Sequence, residues 1–449
     1  MKATIYIALF AWPIVTLILC TIFTVRKAMI YNFVIGWLIL PVARVPLSAM
    51  PDYDKFAAVS MAAVLGVLIF DRKRLVTLRL TALDLPMAIF CLCPLLSSLS
   101  NELGVYDGLS GMLINTLRWG IPYIIGRLYG GDPNGMRDIA TGFFVGVLLY
   151  VPVCIWEIRL SPTLNHTVYG FVAQYFFTTE RLGGYRPVGF LSHGIELGML
   201  MMSGTFIGIW MRKSGAWPRF AGVSSLWIVF PLFIVFILCR ALGAWILMAG
   251  GLAALFFSKW TRTRLAVVMI MIAPLVYIGG RMSGVLSDDL FVSPIAQVSV
   301  DRSKSLAARL YHEGQLVDKA LERPVFGWGK WGRNRVYDDN IDISITDGLW
   351  IIIFGQQGFV GLASWFGALL IPGAVFLKRG TPHVLLHPLL APALAFSILI
   401  PLNCIDWLMN AFHNPMYIVM SGSLVAIQPW MVRAVSGAAR RPATTPKVN

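Results

Sequence analysis

Residues 186–200 read RPVGFLSHGIELGML, and from Phe190 the chain stays apolar as far as Met211. That run is long enough to cross a bilayer, because a helix of about 20 residues spans the hydrocarbon core. Its first turns nevertheless carry His193 and Glu196, with Arg186 and Pro187 just upstream. Spaced i, i+3, His193 and Glu196 share one helix face near its start. A charged group near a bilayer centre costs roughly 2.5–3.5 kcal/mol on insertion scales, so each one needs a partner, water or a task. The residues alone allow two readings. The pair is solvated or mutually paired at the helix mouth, or it lines a cavity that opens at that end.

The rest of the chain also calls for lipid as its solvent. Of 449 residues, 57% are hydrophobic and 13% charged, with a mean hydropathy of +0.72; soluble domains carry about 25% charged residues. Windows of about 19 residues give about thirteen candidate spans, near 5–25, 30–48, 56–70, 84–99, 110–128, 139–158, 190–211, 223–238, 242–257, 265–279, 348–376, 388–405 and 414–432. The expected fold is therefore an all-α polytopic membrane protein, one integral domain over residues 1–449 with about 12–13 transmembrane helices. The first run, Ile5 to Val25, is followed by Arg26 and Lys27. It is longer than the apolar core of a signal peptide and reads as a retained anchor.

The formal charge of +15 is explained by where the cations fall. If Arg26 and Lys27 are cytoplasmic, alternation puts 20 of the 37 basic residues on that side, including Arg72–Arg74, Arg127, Arg212, Lys378 and Arg433. The short loops opposite hold six: Lys2, Lys55, Arg159, Arg181, Arg186 and Arg240. Such a bias predicts an N-terminus outside and a C-terminus in the cytoplasm, and no nucleic acid is needed to account for the basic balance. Arg44 and Arg118 fall inside predicted spans.

Two external loops follow from this topology, at 159–189 and 280–346, the second far longer than any cytoplasmic one. Within it Leu306, Leu310, Leu316, Val317, Ala320 and Leu321 recur at helical spacing among charged residues, which predicts an amphipathic helix on the outer membrane surface. Pro324 ends it. The loop closes on Asp347, either the N-cap of the following span or a functional carboxylate. Arg240 lies in the tight turn between two spans, placed to reach lipid headgroups or a ligand. The six cysteines all lie in or beside apolar runs, which argues against a disulfide framework or a zinc site. A P-loop, an HExxH and a GxSxG are all missing. Short cytoplasmic loops leave no room for a nucleotide, so any energy comes from the substrate or an ion gradient.

The order of RPVGF entering a helix, CRALGAW after one, then ERPVFGWG and GLWIIIFGQQGFVGL resembles the bacterial O-antigen ligase and polysaccharide polymerase superfamily. The likeness covers residues 140–376, and ERPVFGWG and GQQGFVGL are its most specific pieces. It implies a C-type glycosyltransferase-like fold in the bacterial inner membrane. It also implies metal-independent, inverting transfer of a glycan from an undecaprenyl-pyrophosphate carrier to an acceptor glycan, without cofactors. The implied partners are that lipid-linked oligosaccharide, the acceptor glycan, membrane lipids and other polysaccharide assembly proteins. By this resemblance Arg309 holds the pyrophosphate, with Arg186 and Arg240 as further clamps; guanidinium forks suit a departing polyanion. Ligases carry a histidine where this chain has Asp347, so the general base is Asp347 or one of His193, Glu196 and His312. That departure points toward a polymerase. The alternative reading is an oligosaccharide or lipid-linked glycan transporter, which would be expected to carry internal repeats; a third is a scaffold of an export machine.

Overall fold

The computed structural model describes residues 2–427 except Ala49, Gln174, Tyr175, Pro218 and Val298. Among these residues eight helices are long and apolar enough to cross a membrane: Ala3–Ile22, Ala82–Ser100, Pro133–Leu160, Gly194–Lys213, Leu242–Thr261, Leu265–Met282, Leu349–Arg379 and Pro388–Met409. The chain is an all-α polytopic membrane protein. Among the described residues, eight of the thirteen predicted spans are full length. The other five predicted stretches are helical but shorter or interrupted, as in Lys55–Phe70, Ser225–Leu238 and Pro415–Ala426. The predicted 30–48 span stops at Ile39 because Pro41 forces Leu40 into extended backbone; a small hairpin of Val45–Leu47 and Met50–Tyr53 follows. The predicted 110–128 span is Val105–Asn115 and Ile121–Tyr129 joined by a π-turn at Thr116–Gly120, which carries Arg118. Of the predicted 414–432 span, residues 428–432 lie outside the described residues, as do Arg433, Arg440, Arg441 and Lys447.

Helix faces explain the burial. Along Ala3–Ile22 the residues Ile5, Leu9, Trp12 and Thr16 pack inward while Ile7, Phe10, Ile14 and Ile18 stay exposed. Both faces are apolar, as a helix needs when one side meets protein and the other lipid. Gly194–Lys213 and Ala391–Met409 are buried on nearly all sides and form the centre of the bundle. Small residues bring Ile121–Tyr129 and Pro415–Ala426 into backbone contact: a Cβ on Gly126 would stand 2.1 Å from the Val419 carbonyl oxygen. At one end Thr4 donates to the Val168 carbonyl, so the N-terminus and the 159–189 segment share that end. At the other, Arg26 pairs with Asp132 and Asp138, and buried Arg127 pairs with Asp84.

The 280–346 segment folds onto the bundle. Its predicted amphipathic helix is present as Val300–Leu321, but its apolar side rests on protein: Leu316, Val317 and Ala320 belong to the core. The reason is Glu313, buried in that helix, which accepts from Tyr277 Oη (2.8 Å), Arg281 Nε (2.8 Å) and Trp350 Nε1 (3.1 Å). Burial pushes the Glu313 carboxyl above the usual carboxylate range, and these three donors oppose the rise. A second dock follows at once. The Leu349–Arg379 helix breaks at Gly358 (φ 62°, ψ −162°), and residues 324–329 fill the gap. Phe359 N donates to the Pro324 carbonyl and Val360 N to that of Val325, at 2.7 and 3.2 Å. Trp328 and Gly329 amides donate to the Gly355 and Gln356 carbonyls, at 2.8 and 2.9 Å. A helix broken at membrane depth must recover its freed backbone groups from protein. Here ERPVFGWG supplies them to GQQGF.

Candidate functional site

At the end of the bundle that holds the N-terminus, a cavity of about 770 Å³ continues into a deeper one of about 290 Å³; Arg44, Asp54, Phe56, Asn115, Arg118 and Gln357 line both. Its polar walls come from irregular backbone. Arg44 sits in the segment after the early helix end at Ile39. Asp54 is the N-cap of Lys55–Phe70, accepting from the Ala57 amide at 3.0 Å, and it also pairs with Arg118 Nη2 at 2.8 Å. The π-turn sets where Arg118 emerges, a frequent use of such turns. Gln356 and Gln357 enter just before the break at Gly358.

His193 and Glu196 are not paired with each other. His193 is the N-cap of Gly194–Lys213, its Nδ1 accepting from the Ile195 amide at 3.0 Å. Its ring stacks on Phe412, centroids 4.9 Å apart, and Phe412 lines the deeper cavity. Burial, together with the nearby charges of Arg186, Arg309 and Arg181, pushes His193 down to about 4. The imidazole is neutral, and with Nδ1 accepting, its proton is on Nε2. In that state the free edge of the ring donates. Glu196 turns into the cavity; its Oε2 accepts from the Ser192 amide at 3.0 Å and from the Ser192 hydroxyl. Its Oε1 is buried with no hydrogen-bond partner.

Behind the rim, Arg186 is buried and donates from Nη2 to the Arg240 carbonyl at 3.0 Å. Burial lowers it to about 10, which leaves it cationic at neutral pH. Arg240 occupies the predicted turn with φ 53° and donates to the Arg181 carbonyl at 2.9 Å. Arg309 Nε pairs with Asp347 at 3.2 Å, both about one-third exposed, and Arg309 Nη1 reaches the Met409 carbonyl at 3.4 Å. Asp347 is therefore not an N-cap: the helix begins at Leu349 after Gly348. Met409 lies two residues from Ala411 and three from Phe412, both cavity-lining, so this contact brings the Arg309–Asp347 pair near the cavity, although neither residue lines it. His312, three residues on from Arg309, meets the Tyr311 ring edge-on, and its Nδ1 is buried without a hydrogen-bond partner.

The predicted residues thus divide into a group of Arg186, Arg240, His193, Arg309 and Asp347 outside the cavity lining and a cavity wall holding Glu196. Asp54, Lys55, Asn115 and His413 of that wall were not singled out by sequence. Arg44 and Arg118 carried a signal, as cations inside predicted spans. The fold and its site define a multi-pass helical membrane protein with a charged, aromatic-walled cavity at one end. The chain matches no model of a known protein family and no curated protein.

Proposed function

We propose that this protein is a membrane glycosyltransferase of surface-polysaccharide synthesis, acting on a glycan carried by undecaprenyl pyrophosphate. The observation that carries this reading is the one-third-exposed Arg309–Asp347 pair, tied through Met409 to the segment that lines a cavity large enough for sugar residues. Arg309 presents guanidinium edges toward which a lipid pyrophosphate at the rim can lie, with buried cationic Arg186 and the Arg240 turn adding positive field. His193 supplies an Nε2–H donor to the same anion rather than a base. In the reaction the acceptor hydroxyl oxygen bonds to the anomeric carbon as the bond from that carbon to the pyrophosphate oxygen breaks. The carrier pyrophosphate leaves with the electron pair. The hydroxyl proton passes to a carboxylate, for which Glu196 and Asp347 are the candidates. Developing charge on the leaving group is met by preorganised cations, the kind of stabilisation worth most in acyl and phosphoryl sites.

Reconstitution with a purified undecaprenyl-pyrophosphate oligosaccharide tests this: longer chains and released carrier pyrophosphate are expected, and their absence with an intact acceptor present removes the reading. The transporter reading draws on one feature, the helix break at Gly358 beside cavity-lining Gln356 and Gln357. Proteoliposomes that move the labelled lipid-linked sugar across the bilayer without extending it would favour that alternative.

The site end is assigned to the periplasmic side of the inner membrane from the positive-inside bias. The amphipathic helix offers the marker. Ser303, though in the external segment, is buried, whereas Ser305 on the same helix is exposed. A cysteine at Ser305 is expected to react with an impermeant maleimide in intact spheroplasts, the native cysteines being buried or half-buried. Labelling only after permeabilisation would reverse the topology.

A further inference from the structure

Beyond the end of the Leu265–Met282 span the chain exposes apolar side chains that no protein covers: Val285 is 75% exposed and Leu290 58%, and Ile295 and Val300 are exposed as well. From Leu290 to Val300 the sequence is LFVSPIAQVSV, without a charged side chain. Asp288 and Asp289 precede it, and Asp301 and Arg302 follow. Its first part, Asp289–Ala296, is a short helix.

This helix is fixed on its inner side. Phe291 meets the Tyr277 ring edge-on with centroids 5.8 Å apart. Arg281 Nη1 donates to Asp288 at 2.6 Å and to the Leu286 carbonyl at 3.1 Å. The same guanidinium donates to Glu313 at 2.8 Å and to the Leu310 carbonyl at 2.9 Å. One largely buried arginine therefore clamps both the short helix and the Val300–Leu321 helix to the end of the span. The direction in which the chain leaves the span is also defined. A Cβ on Gly280 would stand 2.5 Å from Leu286 Cγ, so Leu286 rests on Gly280. Gly280 follows Ile272 and Val276 at intervals of four, along one side of the helix. Ile272 and Val276 are exposed apolar residues of a membrane span, which makes that side the lipid-facing one. The exposed apolar residues after the span thus extend a surface that already meets lipid.

A contiguous apolar surface marks an interface rather than a face for water. At the boundary of headgroups and acyl chains a short helix lies with apolar side chains down and its charged flanks in the headgroups. We propose that Asp289–Ala296 is an in-plane membrane anchor at the end of the bundle that holds the cavity, with Leu290 and Ile295 in the leaflet. It takes the surface role expected of the Val300–Leu321 helix, whose apolar side rests on protein. Since the one helix leads into the other, the depth of the anchor sets where the helix carrying Arg309 starts above the lipid. The assignment is independent of the transferase reading.

The test uses the full chain in nanodiscs of phosphatidylethanolamine and phosphatidylglycerol, with nitroxides on Leu290→Cys and Ile295→Cys. Ile272→Cys supplies the lipid reference and Ser305→Cys, exposed on the next helix, the aqueous one. The signal of the unsubstituted chain, which keeps its own cysteines, is subtracted. Both labels should be relaxed by oxygen more than by a water-soluble nickel chelate, with a ratio nearer that of Ile272→Cys. Their depth should be roughly 5–10 Å below the headgroups. A ratio nearer that of Ser305→Cys would put the helix in water and overturn the proposal. Protection from both reagents would mean cover by protein, a second copy of this chain or another, and would overturn it too. The two positions are read separately, so a variant that fails to fold leaves the other to decide.

Discussion

Arg309→Ala is expected to lower chain extension from an undecaprenyl-pyrophosphate donor by roughly 10²–10³-fold, mostly in kcat, as when one preorganised charge-stabilising donor is removed. The fold should hardly notice. Arg309 and Asp347 are 37% and 36% exposed, and an ion pair so open to solvent contributes about 0–1 kcal/mol. Separation of function from folding is what makes the variant informative, since melting curves should overlay while turnover collapses. Arg309→Lys should recover only part of the rate, because an ammonium keeps the charge but loses the planar fork that grips a phosphate through two bonds. Wild-type turnover by Arg309→Ala would remove Arg309 from the donor site. A matching loss of melting temperature would assign its importance to the position of the Val300–Leu321 helix instead.

Gly358→Val should be the most damaging substitution for the fold. Gly358 holds φ 62° and ψ −162°, a region that is essentially glycine's alone. A Cβ there would stand 2.4 Å from the Val325 carbonyl oxygen and 2.5 Å from its carbon, both backbone atoms that cannot swing aside. Strained backbone costs of order 1–3 kcal/mol, and expulsion of the 324–329 segment forfeits hydrogen bonds of about 0.5–1.5 kcal/mol each. The variant should yield little monodisperse protein. What survives should be cut by added protease within residues 323–346, a segment that the wild type keeps docked. An unchanged digestion pattern would show that the helix break does not hold the loop.

Much of this was legible in the chain. Helical membrane architecture followed from composition, because so apolar a sequence has no soluble solution and lipid leaves a helix as the way to satisfy its own amides. The end of the bundle that holds the cavity was legible too: His193, Glu196, Arg186, Arg240, Arg309 and Asp347 all fall toward it. Span number was less so. A hydropathy window reads 30–48 as one span, while Pro41 stops the helix at Ile39 and hands Arg44 to a loop on the cavity. Nor does hydropathy register a π-turn, which places Arg118 opposite Asp54 across more than sixty residues of sequence.

The sequence by itself determined what each residue is able to do: which groups carry charge, which stretches need lipid, and which glycines free the backbone. Tertiary structure alone decided which of those groups meet. Glu196 and Lys55 lie far apart in the chain and on different helices yet line one cavity, and a period of 3.6 residues says nothing about neighbours across a bundle. Whether the Val300–Leu321 helix would lie on the membrane or on protein depended on Glu313 finding Tyr277, Arg281 and Trp350. Those contacts join three separate segments, so they exist only once the helices have packed.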